Sequence, residues 1–156
     1  MKTALIIVLV LIALAIASFF ILGKYSQKGQ APGLVNGSLS KCSEKPNCVC
    51  SEYKDDVDHY VLPIYIESSE GQNMAKVVSI IKEMNGVIQI EKENYVAATF
   101  TSSTFGFVDD FEIRIDTNID TNKSVIHFRF ASRVGYSDGG VNKKRVEQFK
   151  ALYSKI

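Results

Sequence analysis

Residues 107–132 read "FVDDFEIRIDTNIDTNKSVIHFRFAS", and their alternation decides the fold. Phe111, Ile113 and Ile115 share one parity, which Asp109 also has. Glu112, Arg114 and Asp116 share the other. Successive side chains of a strand point to opposite faces, so this segment is a strand with one apolar face. Ser124–Ser132 repeats the pattern, with Ile126, Phe128 and Phe130 inward and His127 and Arg129 outward. The link "TNIDTNK" is turn-rich, so the two strands are expected to be antiparallel neighbours. Antiparallel sheets commonly wet one side. The face bearing Glu112, Arg114, His127 and Arg129 is therefore expected to be solvated and crossed by charge pairs. The sharper reading gives Glu112 and His127 acid–base work.

Upstream, "GVIQIEK" and "YVAATFTS" meet at a turn around Glu93-Asn94 and form a hairpin. A helix precedes them. Ser69 is its expected cap, with Gln72 at the capping-box spacing. Met74, Val77, Val78 and Ile81 make its apolar stripe, and Gly86 ends it. Before the helix, "YVLPIYI" (Tyr60–Ile66) reads as a strand that Pro63 confines to an edge or bulge. Downstream, Val141–Ser154 reads as a helix burying Val146, Phe149, Leu152 and Tyr153. The order β-α-β-β-β-β-α predicts an α+β domain over residues 42–156. It is an antiparallel sheet of about five strands with its helices on one face.

The chain begins differently. Ala4–Leu22 reads "ALIIVLVLIALAIASFFIL", uncharged throughout. Such a run spans roughly 30 Å of hydrocarbon as a helix. A cleaved signal has an apolar core of only about 7–15 residues, so residues 1–22 are read as an uncleaved transmembrane anchor. Residues 23–41, with four glycines and a proline, read as a flexible linker reaching roughly 60 Å. Lys2 on one side and Lys24 and Lys28 on the other nearly balance the positive-inside rule. With three residues before the span, export of the C-terminal part is expected. Of the 18 cations only Lys2 lies in residues 1–22, leaving 17 cations against 17 anions. A neutral domain argues against nucleic acid as a partner and against a purely electrostatic grip on lipid.

The densest chemistry is "ASRVGYSDGGVNKKR", Ala131–Arg145, between the last strand and the last helix. Gly139-Gly140 permits unusual backbone angles. Asp138 or Asn142 can cap the helix. Lys143, Lys144 and Arg145 stand where the helix dipole prefers acids. One reading is a structural ion-pair cluster of Asp109 and Asp110 with Arg133 and Arg145. The other is a binding site for an anion or partner. Arg133, Ser137, Asp138, Asn142, Lys144 and Arg145 would then join the loop amides.

No catalytic residue is assigned. The enzymatic alternative is a hydrolase using Asp109 and Asp110 with His127 or His59. No Gly-x-Ser-x-Gly, Walker loop or dinucleotide fingerprint occurs, so no cofactor is expected. Ser51–His59 is acidic but lacks the glycine-turned loop and distal glutamate of an EF-hand, so no metal is expected there. The three cysteines, Cys42, Cys48 and Cys50, lie within "CSEKPNCVC". In an exported domain a local disulfide is the leading expectation, Cys42–Cys48 or Cys42–Cys50, with free thiols and then metal ligation as the alternatives.

These segments resemble an uncharacterised family, domain of unknown function 1499. The resemblance rests on "PNCV" with Ser51 following, on His59 ahead of Pro63, on "FGFVDD" (Phe105–Asp110) and on Ala131–Arg145. It covers residues 42–153. The family occurs in bacteria and plant chloroplasts, and its members often carry a signal, anchor or lipoprotein leader. The resemblance thus implies the extracytoplasmic side and favours Cys42–Cys48 as the disulfide. It carries over no catalytic residue. Cys50 departs from an expected serine and Gly139 from a larger apolar residue. The combined reading is a membrane-anchored envelope domain that binds a small anion, a cell-wall or lipid component, or an envelope protein. A structural subunit of a membrane complex is the third reading.

Overall fold

The computed structural model describes residues 1–67, 72–118, 120 and 123–155, the side chains of Gln72 and Asn73 excepted. The elements are α1 (Lys2–Ser26), β1 (Leu34–Val35), β2 (Ser38–Leu39), β3 (Cys48–Cys50), β4 (Ile64–Ile66) and α2 (Gln72–Glu83). They continue with β5 (Val87–Lys92), β6 (Tyr95–Thr101), β7 (Val108–Asn118), β8 (Lys123–Ser132) and α3 (Val141–Tyr153). The architecture is α+β, as the alternation predicts.

The antiparallel sheet runs β3-β8-β7-β6-β5, with β4 also paired on β8. It has six strands. The strand beyond the expected five is β3, "CVC", too short for its periodicity to be read. β3 and β4 lie end to end along β8, covering Arg129–Ala131 and Ser124–Ile126. Only Ile64–Ile66 of the expected Tyr60–Ile66 strand joins the sheet. It starts just after Pro63, which lacks an N–H to give. Among the described residues β5 is paired on one side only, by β6, and its register shifts between Ile88 and Ile90, placing a bulge at Gln89.

Both α2 and α3 pack on one face of the sheet. Met74, Val77, Val78 and Ile81 from α2 meet Val146, Phe149 and Tyr153 from α3 over Phe111, Ile113, Ile126, Phe128 and Phe130. Aromatic rings fill the centre: Phe111 stands 4.4 Å from Phe130 and 5.6 Å from Phe149, centroid to centroid. α2 stops at Glu83 and the left-handed residue is Asn85, not Gly86. Gly86 serves close packing instead: a Cβ there would lie 2.8 Å from the Phe100 ring. The expected cap Ser69 lies outside the described residues.

The opposite face is not solvated, and this corrects the alternation argument. Glu112 is fully buried there. A second apolar cluster covers the face: Leu39, Cys42, Cys48, Cys50, Tyr95, Ala97 and Ala131, with Ala31 and Tyr53 packed against it. Part of the cover, Ala31 and Leu39, comes from residues read as linker. Asn36 and Gly37 both take positive φ, 52° and 83°, and join β1 to β2 as a two-residue hairpin loop. The hairpin lands Leu39 on the sheet with no exposure. Tyr53 donates from its hydroxyl to the Leu39 carbonyl at 2.8 Å.

α1 is long and apolar enough to cross a membrane. Its last turn continues past the apolar run and packs on the domain. Gly23 and Ser26 are buried. The Ser26 hydroxyl accepts from the Val108 amide at 3.1 Å, and Gln27 Nε2 donates to the Gly106 carbonyl at 3.2 Å.

Candidate binding site

The outward face of β7 presents Asp110, Glu112, Arg114 and Asp116 in succession, two residues apart. Three of these four charges find partners beneath the cover. Glu112 lies opposite Arg129 in register and pairs with it at 2.8 Å. It also accepts from the Tyr95 hydroxyl at 2.7 Å and the Gly33 amide at 2.9 Å. Burial and the adjacent carboxylate push the Tyr95 hydroxyl far above its ordinary range. Arg114 pairs with Glu52 at 2.6 Å, and the other Glu52 oxygen accepts from the Leu39 amide at 3.0 Å. A buried carboxylate costs much unless paired and hydrogen-bonded, and both of these are.

Asp110 and Arg133 form a two-pronged pair at 2.8 and 2.6 Å. Arg133 also donates to the Ser26 carbonyl at the end of α1, at 3.2 Å. A guanidinium has five N–H donors, so two remain for another acceptor. Asp109, of opposite parity, pairs with Arg145, whose guanidinium lies over the Phe100 and Phe130 rings.

Ser137, Asp138 and the Asn142 amide nitrogen of the Ala131–Arg145 segment are engaged internally. Asp138 accepts from the Gly140 amide at 3.0 Å and the Asn142 amide at 2.7 Å, so a carboxylate of the chain fills the anion position at the start of α3. Gly139 and Gly140 both take left-handed φ. The Asn142 side chain is buried and donates to the Asn47 carbonyl and the Ser132 hydroxyl. Ser137 accepts from the Gly139 amide at 3.2 Å. Lys144 is exposed.

A cavity of about 390 Å³ opens where α1 ends. Gln27, Gln30, Gln89, Thr99, Asp110 and Arg133 line it. A second, of about 300 Å³, shares Gly29 and Arg133 with the first and adds Tyr25 and Lys28. A third shares Tyr25 and Lys28 and reaches Lys24, Phe20 and Ile21 on the apolar helix. Sharing these residues, the three line up as a groove, mixed polar and apolar at the sheet, cationic in the middle and apolar at α1. Of the residues named from sequence, the groove takes Arg133 and Asp110. Ser137, Asp138, Asn142, Lys144 and Arg145 do not line it. Gln27 and Gln30 carry no signal in the sequence because their stretch reads as linker, and Lys28 enters there only through the charge balance across the apolar run.

The hydrolase grouping does not form. Asp109 and Asp110 point to opposite faces. His127 sits opposite Arg114, four positions from Asp110 along the strand, about 13 Å. Its Nδ1 is 3.3 Å from the Ser51 hydroxyl, and burial lowers its pKa. His59 is buried elsewhere, held by Asp56 at 2.7 Å and the Lys45 carbonyl at 3.1 Å. Cys42 and Cys48 form the disulfide. Cys50 is free and buried, its thiol pushed up to about 11 by desolvation.

A family model described as "Protein of unknown function (DUF1499)" matches residues 38–152. No curated protein matches the chain.

Proposed function

Since the chain belongs to the DUF1499 family, we propose from its own geometry that it is a membrane-anchored binding module on the extracytoplasmic side. The groove at the end of α1 is its ligand site. The ligand is an envelope component with an anionic group. Arg133 carries this reading. It lines two of the three connected cavities, is fixed by Asp110 and the Ser26 carbonyl, and keeps two donors for a ligand. Lys28 and Lys24 add charge along the same groove. The glutamines beyond Arg133 donate and accept in equal measure, which suits a hydroxyl- or amide-bearing ligand. The anion-binding reading of the last loop thus moves from the amides of α3 to the Arg133 side chain. The Cys42–Cys48 disulfide supports the extracytoplasmic side, because such bonds persist in oxidising compartments.

The test is a thermal melt of the full chain in neutral detergent against phosphate, glycerophosphodiesters and cell-wall fragments. A ligand at about 100 times its dissociation constant adds roughly 2.7 kcal/mol. Arg133→Ala leaves Asp110 buried without its partner and is expected to unfold the site. Lys28→Gln is the cleaner variant, since Lys28 is exposed. A melt shift that shrinks in Lys28→Gln supports the groove. No shift from any anion, or a shift unchanged in that variant, rejects it.

A further inference from the structure

The loop between β6 and β7, Ser102–Phe107, packs on α1 inside its apolar run. Phe105 stands 5.3 Å from Phe19 and 5.2 Å from Phe20, and Phe107 stands 6.4 Å from Phe19, ring centroid to ring centroid. Phe19 precedes Lys24, the first charge after the run, by five residues. At 1.5 Å per residue that is about 7.5 Å along the helix axis. Wherever Lys24 meets the headgroups, Phe105 lies about that much deeper, within the roughly 5–10 Å to which interfacial elements bury apolar groups.

The loop is chemically suited to that depth. Thr99–Val108 contains no charged residue. Its backbone also closes on itself. The Ser102 amide donates to the Phe107 carbonyl, the Gly106 amide to the Ser102 carbonyl, and the Phe107 amide to the Ser102 hydroxyl. The Gly106 carbonyl accepts from Ser26 and Gln27. These bonds engage Ser102, Gly106 and Phe107, and since irregular backbone is not left exposed to hydrocarbon, only the rings of the loop can go deep. Gly23 makes the approach close enough: a Cβ there would come within 1.8 Å of the Phe105 carbonyl oxygen.

We propose that Ser102–Phe107 is a second membrane contact, inserting Phe105 and Phe107 into the boundary of the leaflet from which α1 emerges. The inference rests on α1 spanning the bilayer and is separate from ligand binding in the groove. An uncharged loop grips by apolar burial, so the contact is indifferent to salt and to headgroup charge.

The chain has no tryptophan, so Phe105→Trp gives a single fluorescent reporter in the full-length protein. Tyr65→Trp is the control. Tyr65 is 65% exposed and pairs with Val125, opposite Asp116, about 26 Å along β7 from Val108. Both variants are reconstituted in phosphatidylcholine vesicles, with and without bromine near the carbonyl end of the acyl chains. Insertion predicts blue-shifted Phe105→Trp emission, lost on brominated lipid and protected from acrylamide, while Tyr65→Trp shows the reverse. Phe105→Trp emission that acrylamide quenches like the control, with no bromine effect, overturns the proposal. Protection from both quenchers also overturns it, assigning the loop to a protein contact. If Phe105→Trp fails to fold, as judged by labelling of the buried Cys50, Phe107→Trp decides the question by the same readouts.

Discussion

Glu112 makes three hydrogen bonds within its buried site, and its charge is answered by a single arginine. Arg129 Nε is itself buried without a partner among the described residues, so Arg129 relies on Glu112 for its compensation. Glu112→Ala leaves that cation buried and unpaired, and the full chain should lose about 3–5 kcal/mol in denaturant unfolding. Glu112→Gln keeps the shape and should lose less. Equal stability in both variants would mean that the charge contributes nothing. Cys50, 2% exposed and with its thiol pushed up to about 11, should resist thiol reagents in the folded protein. Unfolding without reductant should expose one reactive thiol, and unfolding with reductant three. His127 carries the acid sensitivity of this face. Burial holds its pKa below the ordinary 6.5. As pH falls through about 6.5 the unfolded chain binds a proton that the folded chain refuses, so stability falls with pH. The loss levels off once pH passes below the folded value. His127→Gln should flatten the slope of stability against pH as pH falls through about 6.5.

Among the elements, the end of α1 makes the clearest demand on one residue. In an isolated helix Gly23→Ala would stabilise by about 1 kcal/mol. Here the added Cβ meets the Phe105 carbonyl, so the helix end must lift from the sheet. The Val108 amide, bonded to the Ser26 hydroxyl, should then lose protection in hydrogen exchange. Unchanged protection would show that the turn is not packed as described. The disulfide ties the outer cover to β3 across a sequence separation of six, and its reduction should cost about 2 kcal/mol. This cover was the part hardest to read. The strands β5 to β8 and the apolar stripes of α2 and α3 follow from periodicity, because each buries one face of a regular element. The outer layer has no periodicity. It is two-residue strands, a three-residue strand and a crosslink, held by single side chains such as Leu39 and Tyr53. Its one local signal is Asn36-Gly37 between "LV" and "SL", the strongest short hairpin turn. The hairpin made by that turn lands Leu39 on this face, and the Gly33 amide just before it reaches Glu112. Likewise Arg133 and Asp110 stood out in the sequence, but the groove they enter is completed by Gln27, Lys28 and Gln30, whose composition resembles a linker.

For the whole molecule, an apolar helix whose end packs on a neutral domain predicts how it leaves a membrane. Washing with high salt should leave it in the pellet, and detergent should release it, because no net charge holds it to lipid. Release by salt alone would remove the anchor from the account. On the proposed anchoring, confinement to a membrane would bring copies together in two dimensions. Such confinement favours edge-to-edge pairing, as linkage raises effective concentration. β5, paired on one side only among the described residues, would be the natural seam. The bulge at Gln89 breaks its register, and Glu91 and Lys92 put charge on the exposed rim. That irregular, charged edge disfavours the joining of two copies into one continuous sheet.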